Sequence, residues 1–375
     1  MIELADVIRH FEGDYRAVHG ATMLPSHHRT LDDITSCRTE ALGGHLFSCD
    51  SCGTKIYAYH SCKNRHCPKC HGNQTRQWLD KRRAEMLPIP YFHITVTVPE
   101  PLRAIFRANQ TDCYAILLKA AAEAIIELAK DPKHVGGTVG VLALLHTWTQ
   151  QLIYHPHAHC LVTGGGLSED GATWYAAKNG FLIPTKALAR MIRGKVMSTF
   201  KMIRPDIAWP QQAWQQDWVV HCTPWGTGEQ AIVDYLARYA FRIAINRERI
   251  VAFNEQTVTI RYKDRKQRRW RYCDIPGQEF LRRFLQHVLP RGFHKIRYFG
   301  LWHPSKRSAA KRVRLLLELE HSVPVQKAQE ADPEIRSDAA PDQKPNRVHA
   351  DAVCPACNQG RLVLLQRINR QSRSP

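Results

Sequence analysis

The stretch YHPHAHCLVTGGG, residues 154–166, places three histidines within five positions. Imidazole is the commonest metal-ligating side chain, so the run is either a metal site or the polar edge of a half-buried strand. With 20 histidines in 375 residues, roughly one H-x-H is expected by chance. The triplet alone therefore leaves both readings open. A second group lies in AIVDYLARYAFRIAINRERI, where Tyr235 and Tyr239 form the chain's sole i, i+4 tyrosine pair. That spacing raises both phenols from one helical face; taken alone, it describes two tyrosines facing a core.

The cysteines form the third group. Among twelve there are three C-x-x-C pairs, where fewer than about half of one is expected by chance. Cys49/Cys52 and Cys67/Cys70 flank a 14-residue insert. Two such knuckles supply the four thiolates of a tetrahedral zinc site and close a lobe too small to fold on apolar burial alone. Cys37, Cys62 and His66 are candidates for a second zinc, with His45, His60 or His71 as a further donor. The alternative is that Cys37 and Cys62 are small buried residues and His66 supports the ligands or faces DNA. Cys354 and Cys357 form a lone CPAC knuckle: a remnant, half of an intermolecular site, or a pair completed by a histidine such as His349.

The elements that must position these groups follow from periodicity. LADVIRHF is an amphipathic helix with Leu4, Val7, Ile8 and Phe11 on one face, followed by a loop to about residue 35. After the cysteine-rich lobe, NQTRQWLDKRRAEML reads as a charged helix and PYFHITVTVP as a strand. DCYAILLKAAAEAIIELAK is a helix, and VGVLALLHTWT, HAHCLVTGG and DWVVHCTPW are strands. The connection between the strands around 148–154 is too short for a parallel crossover, so they pair as an antiparallel hairpin in an α+β fold. On such a strand His157 and His159 leave the same face while Ala158 points into the core. The neighbouring strand offers His146 as a third ligand. His155 reaches that face only if the strand begins before Pro156, and is read as a neighbour that positions the turn. The glycines at 164–166 end the strand and let backbone or substrate come close. Ile232, Leu236, Phe241 and Ile243 fit one helix carrying the tyrosines. The chain divides into 1–35, a zinc lobe at 36–86, a catalytic domain at 88–302, and a basic tail at 303–375. Within that tail, residues 322–346 read as a flexible linker.

Lysine and arginine exceed aspartate and glutamate by 53 − 34 = 19, with a pI near 9.6. Such a surface attracts polyanions. No apolar run approaches the roughly 18 residues of a spanning helix, and the N-terminus lacks a secretory h-region, so a cytoplasmic protein with nucleic acid as partner is expected. RYKDRKQRRWRY supplies Lys263, Arg265, Lys266, Arg268, Arg269, Trp270 and Arg271, cations and an aromatic suited to phosphate contact and base stacking. Arg238 and Arg242 add charge beside the tyrosines. The plainer reading is a solvated basic hairpin. Together, a histidine pair for a metal, a paired-tyrosine segment and a basic chain describe attack of a tyrosine oxygen on a DNA phosphate. Phenol, with a pKa of about 10, needs a cation to stabilise developing charge. There is no Walker sequence, and a phosphotyrosine bond conserves the energy for rejoining without ATP.

In motif order, SCDSCGTKIYAYHSCKNRHCPKC, YFHITVTVP, YHPHAHCLVTGGGLS, YLARYAFRIAI and EFLRRFLQHVLPRGFHKIRYFGLW resemble the rolling-circle bacterial transposases of the insertion-sequence ninety-one family. These are two-tyrosine members of the HUH nuclease superfamily, in which H-hydrophobic-H is the metal motif. The resemblance implies a central antiparallel sheet with flanking helices behind a small zinc-binding domain, acting in the bacterial cytoplasm at the nucleoid. It implies cleavage of single-stranded or hairpin DNA at element ends through 5′-phosphotyrosine intermediates, with rolling-circle-like strand transfer. By position it makes His157 and His159 ligands of Mg²⁺ or Mn²⁺, Tyr235 and Tyr239 nucleophiles, and Cys49, Cys52, Cys67 and Cys70 zinc ligands. A replication initiator or relaxase would use the same chemistry on other DNA. A non-catalytic zinc-dependent DNA-binding protein would need neither tyrosine.

Overall fold

The computed structural model describes residues 2–70, 87–178, 180–236, 239, 242–264, 267, 269–321 and 349–371. The charged segment expected to be helical at 73–86, the linker at 322–346, and Arg238, Phe241, Arg265, Lys266 and Arg268 lie outside these residues. In chain order the elements are α1 (Leu4–His19), α2 (Pro25–Thr35), β1 (Gly44–Cys49), β2 (Lys55–Tyr59), β3 (Pro90–Thr97), α3 (Arg103–Ala108) and α4 (Gln110–Lys130). Then come β4 (Gly140–Trp148), β5 (Tyr154–Thr163), β6 (Gly165–Leu167), β7 (Trp174–Ala176), α5 (Thr185–Ile203), α6 (Gln211–Gln215), β8 (Val219–Thr227) and α7 (Gly228–Tyr235). The chain continues through β9 (Ile250–Phe253), β10 (Thr257–Asp264), β11 (Arg269–Pro276), α8 (Gly277–Leu285), β12 (Ile296–Gly300), α9 (Arg307–His321) and β13 (Leu362–Ile368).

These elements form two compact units. One gathers Met1–Thr75, Ile243–Val288 and Asp338–Pro375; the other gathers Arg76–Arg242 and Leu289–Ser337. The units do not follow the contiguous blocks read in the sequence. Residues 243–288 join the N-terminal segment because α8 packs on α1, with Gly277 lying directly on the Phe11 ring. The tail joins it because β13 pairs antiparallel with β1.

The second unit is built on a five-stranded antiparallel sheet in the order β12-β4-β5-β3-β8, which bears out the expected α+β architecture. Alternation gives the sheet two faces. Ile94, Val96, Val141, Ala143, Ala158, Cys160 and Val162 pack with α4 and α5 in one core. The opposite face carries Tyr91, Leu142, Leu144 and Leu161 with Ile232, Tyr235 and Leu236 of the α7 segment, and with Val313 and Leu317 of α9. α4 forms because its interior is rich in alanine, leucine and isoleucine with no glycine or proline. It buries Tyr114, Leu117, Ala121 and Ile125 as an apolar stripe.

Three local readings are corrected. β5 begins at Tyr154, ahead of Pro156, so His155 shares a face with His157 and His159. Pro156 is tolerated because the register against β4 breaks between His146 and Trp148, and a bulge asks no ladder donor of it. Residues 25–35, expected as loop, form α2: Pro25 occupies its first turn, and Leu31 and Ile34 supply the buried stripe that the polar SHHRT run hides. The tyrosine helix is shorter than its pattern, since α7 ends at Tyr235, Leu236 and Tyr239 continue in a wider π winding, and Ile243 is non-helical. The chain enters the other unit at Ile243.

The glycines after β5 admit backbone rather than substrate. A Cβ on Gly164 would lie 2.6 Å from the Pro90 carbonyl oxygen, and one on Gly166 would lie 2.5 Å from the Gly137 carbonyl carbon. Backbone cannot step aside as a side chain can. Gly166→Ala is accordingly expected to destabilise the fold by about 1–3 kcal/mol. Gly194→Ala, inside α5 with nothing within 4 Å of the added carbon, should stabilise it by about 0.5–1 kcal/mol. Urea unfolding of both variants checks the pair.

Candidate active site and cysteine clusters

The hairpin register puts His146 on β4 directly opposite His157 on β5, and His159 follows two residues on. One ring nitrogen of each lies within 4.8 Å of the others, and ring centroids are 4.8–5.5 Å apart. The register thus brings His146 to the pair in a group that could hold a metal ion, whereas His155 is not a member of this group.

Each ring is oriented through its other nitrogen. His157 Nδ1 lies 2.6 Å from the His155 carbonyl oxygen, and His146 Nε2 lies 2.6 Å from the Tyr239 carbonyl oxygen. A neutral imidazole has one donor and one acceptor nitrogen. His157 Nδ1–H and His146 Nε2–H must donate to those carbonyls, which makes His157 Nε2 and His146 Nδ1 the acceptors. His159 Nδ1 is 2.9 Å from His93 Nε2 and 3.4 Å from Thr95 Oγ1. Rings fixed in this way are the usual preparation of a metal site, and the all-nitrogen donor set fits a divalent ion with coordination positions left open. Burial, then the neighbouring His157, holds the His146 pKa well below its ordinary value, so this ring stays neutral.

No motif in the sequence marks His93 as part of the site. Its strand reads simply as β-branched alternation, yet His93, Thr95 and Thr97 face the site, with Thr95 opposite His159 and Thr97 opposite His157. The one available signal was the polar period of two in HITVT. His93 stacks on His159 with centroids 5.1 Å apart and also meets both tyrosine rings, at 5.7 Å for Tyr235 and 4.8 Å for Tyr239.

The two tyrosines are adjacent, 5.0 Å between centroids, but differ in surroundings. Tyr239 is partly buried and its ring lies 4.2 Å from that of His159. Tyr235 is fully buried and its hydroxyl has no hydrogen-bond partner among the described residues; burial pushes its pKa well above the ordinary phenol value. Trp225 packs against both rings at 5.6 Å and donates its Nε1–H to the Ala231 carbonyl.

The cysteines assemble differently from the expected site. Cys37, Cys62, Cys67 and Cys70 form one cluster; Cys49, Cys52, Cys354 and Cys357 form another. The grouping Cys49, Cys52, Cys67 and Cys70 fails because β1 and β2 form a hairpin. Its turn carries Cys49 and Cys52, and five residues of strand, about 17 Å at 3.3 Å each, lead away before Cys62 is reached. Arg38 N–H donates to the His60 carbonyl at the far end, which brings Cys37 to that end too. His66 belongs to neither cluster; its backbone N–H donates to Asn64 Oδ1, and Cys67 takes the place assigned to it. Cys354 and Cys357 are completed by Cys49 and Cys52, not by His349, whose Nδ1 lies 2.8 Å from the Ala350 carbonyl.

The basic segment is a hairpin, β10 against β11. Pairing of Lys263 with Trp270 and of Arg261 with Tyr272 gathers two cations and two exposed aromatics on one face, with the Arg261 guanidinium 4.8 Å above the Trp270 ring. Arg271, on the other face, meets Asp264 at 3.4 Å. Arg269 is exposed at the turn end of β11, and Arg242 is exposed where the tyrosine segment ends.

A family model described as "Putative transposase" matches residues 140–310, and one described as "Transposase zinc-binding domain" matches residues 7–98. The chain is 38% identical to "Putative transposase y4qJ" of Sinorhizobium fredii across 97% of its own length and 95% of that protein's. It is 30% identical to "Transposase for insertion sequence element IS801" of Pseudomonas savastanoi pv. phaseolicola over 72% of its length and 69% of that protein's. No solved structure matches it. No helix among the described residues is long and apolar enough to cross a membrane.

The neutral His146 generates a pH prediction. A histidine whose folded pKa lies below its unfolded value of about 6.5 takes up its proton only on unfolding. Stability therefore falls as pH drops below that value. In chelator-treated protein, the unfolding free energy of wild type should decrease between pH 7 and 5, and His146→Gln should remove up to one proton's share of that slope, about 1.4 kcal/mol per pH unit. Urea titrations across this range measure it.

Proposed function

The chain belongs to the transposases of the insertion-sequence ninety-one family, and from that premise we propose that it nicks single-stranded DNA at element ends with Tyr239 as first nucleophile and transfers the strand through Tyr235. The observation that carries this reading is the placement of Tyr239. Its ring lies against His159 and its own carbonyl accepts from His146, so the nucleophile and the metal-ligand triad are fixed by the same contacts.

In this reading the Tyr239 oxygen attacks a backbone phosphorus, the bond from phosphorus to the 3′ oxygen breaks, and that oxygen leaves with a proton as a free 3′ hydroxyl. The 5′ end remains joined to the tyrosine. His146, His157 and His159 would hold Mg²⁺ or Mn²⁺, which supplies Lewis-acid stabilisation of charge on the phosphate. His93 acts through its neighbours, setting the His159 ring while packing on both phenols. Tyr235, enclosed and with no hydroxyl partner among the described residues, becomes reactive only when its surroundings open. A second tyrosine held in reserve lets one site keep a cleaved end while attacking another phosphate. The exposed cations and aromatics of the β10–β11 hairpin suit single-stranded DNA, with stacking supplied by Trp270 and Tyr272.

Labelled single-stranded oligonucleotides carrying an element end, incubated with Mn²⁺ and resolved under denaturing conditions, test the assignment. Tyr239→Phe should lower covalent adduct formation by at least about 1000-fold, whereas Tyr235→Phe should leave the first adduct within about threefold while suppressing joined product. His157→Ala should abolish metal-dependent nicking in a folded protein. Wild-type adduct levels from the Tyr235→Phe/Tyr239→Phe double variant would exclude tyrosine chemistry.

For the hairpin, Lys263→Gln should reduce the dependence of log affinity on log salt by about 0.7. Trp270→Ala should weaken binding by about 1–3 kcal/mol with the salt slope unchanged. Fluorescence anisotropy at several salt concentrations separates the two effects.

A further inference from the structure

The zinc-binding family match ends at residue 98, yet half of one thiol cluster lies beyond residue 350. Cys49 Sγ is 3.7 Å from Cys357 Sγ, and Cys52 Sγ is 3.8 Å from Cys354 Sγ. These are too long for disulfides, whose S–S bond is about 2.05 Å. They match the edge of a tetrahedron around zinc, which at a Zn–S distance of about 2.3 Å is about 3.8 Å.

The two knuckles mirror each other. Gly53 N–H donates to the Cys49 carbonyl at 3.0 Å, and Asn358 N–H donates to the Cys354 carbonyl at 2.8 Å. Gly53 and Asn358, each following its second cysteine, have φ of 70° and 55°, the left-handed turn that glycine and asparagine adopt at low cost. Backbone amides point at the sulfurs in both: Ser51 and Cys52 N–H at Cys49 Sγ, Ala356 N–H at Cys354 Sγ, and Gly360 N–H at Cys357 Sγ, each at 3.4 Å. Such donors stabilise thiolates bound to a metal.

The C-terminal loop is seated closely on the N-terminal knuckle. A Cβ on Gly360 would fall 2.4 Å from Cys49 Sγ. Asp50 N–H donates to the Arg361 carbonyl and Arg361 N–H returns a bond to Asp50 Oδ1. The apolar core beneath is small, with Phe47, Cys49, Cys354 and Leu362 buried and Ile56, Ala58, Ala352 and Cys357 partly buried against them, too little to fasten a separate chain segment by burial.

We propose that Cys49, Cys52, Cys354 and Cys357 bind a second zinc ion, distinct from one at Cys37, Cys62, Cys67 and Cys70, and that this ion clasps the C-terminal segment onto the β1–β2 hairpin. With four protein thiolates the site has no open position, so its role is structural. It binds within one chain and is independent of the tyrosine chemistry.

Metal analysis of the full-length protein by mass spectrometry should find two zinc ions per chain. Cys354→Ser/Cys357→Ser should hold one. Gly360→Val, which keeps every thiol, should also lose one ion or release it at least tenfold faster to a chelator. Hydrogen exchange should show β13 protected in wild type and unprotected in the cysteine variant, with β3–β5 unchanged in both. One zinc per chain in wild type, iron in place of zinc, two ions retained by Cys354→Ser/Cys357→Ser, or β13 protection indifferent to that variant would overturn the proposal.

Discussion

A neutral imidazole can direct only one lone pair at a cation, so three of them around a point must each place a proton elsewhere. In this protein the sheet and the tyrosine segment supply those acceptors. His157 is answered by a carbonyl two residues back on its own strand, and His146 by the carbonyl of Tyr239. The second contact makes the site a single object: the backbone of one tyrosine sets the tautomer of a histidine on a central strand. Displacement of Tyr239 would therefore disturb the orientation of the His146 ring as well as the position of the phenol.

This dependence gives the β5 bulge its purpose. The register break between His146 and Trp148 lets proline sit in a central strand and keeps His146 in line with His157. α4 and α5, packed on the far face, hold the sheet rigid without entering the site. One face of the sheet is thus wholly core while the other carries both a second core and the histidine–tyrosine cluster, and the division follows from the two-residue period of the strands.

Much of this could be read from local pattern. His157 and His159 share a face because strands alternate, and His146 follows once the hairpin is recognised. The tyrosine spacing is equally local. His93 was not legible, since its partnership with His159 depends on register between β3 and β5, whose strands are separated by α3, α4 and β4. The thiol grouping is hidden for a related reason: sequence proximity favours Cys49, Cys52, Cys67 and Cys70, but a hairpin sends its two ends in opposite directions. The basic run looked like one patch, and only strand pairing separates Lys263 and Trp270 from Arg271, which answers Asp264.

The wide separation of the clasp's two halves also orders events in time. Cys52 and Cys354 are 302 positions apart (354 − 52), which at about 5–20 residues per second is on the order of 15–60 s of synthesis. Through that interval Cys49 and Cys52 exist as an unfinished pair, while Cys37, Cys62, Cys67 and Cys70 have all left the ribosome early and can close on their own ion. β1 meanwhile has β2 on one side and an open edge on the other. β13 later covers that edge, so the N-terminal lobe reaches its final form only after residues 354–368 have been translated.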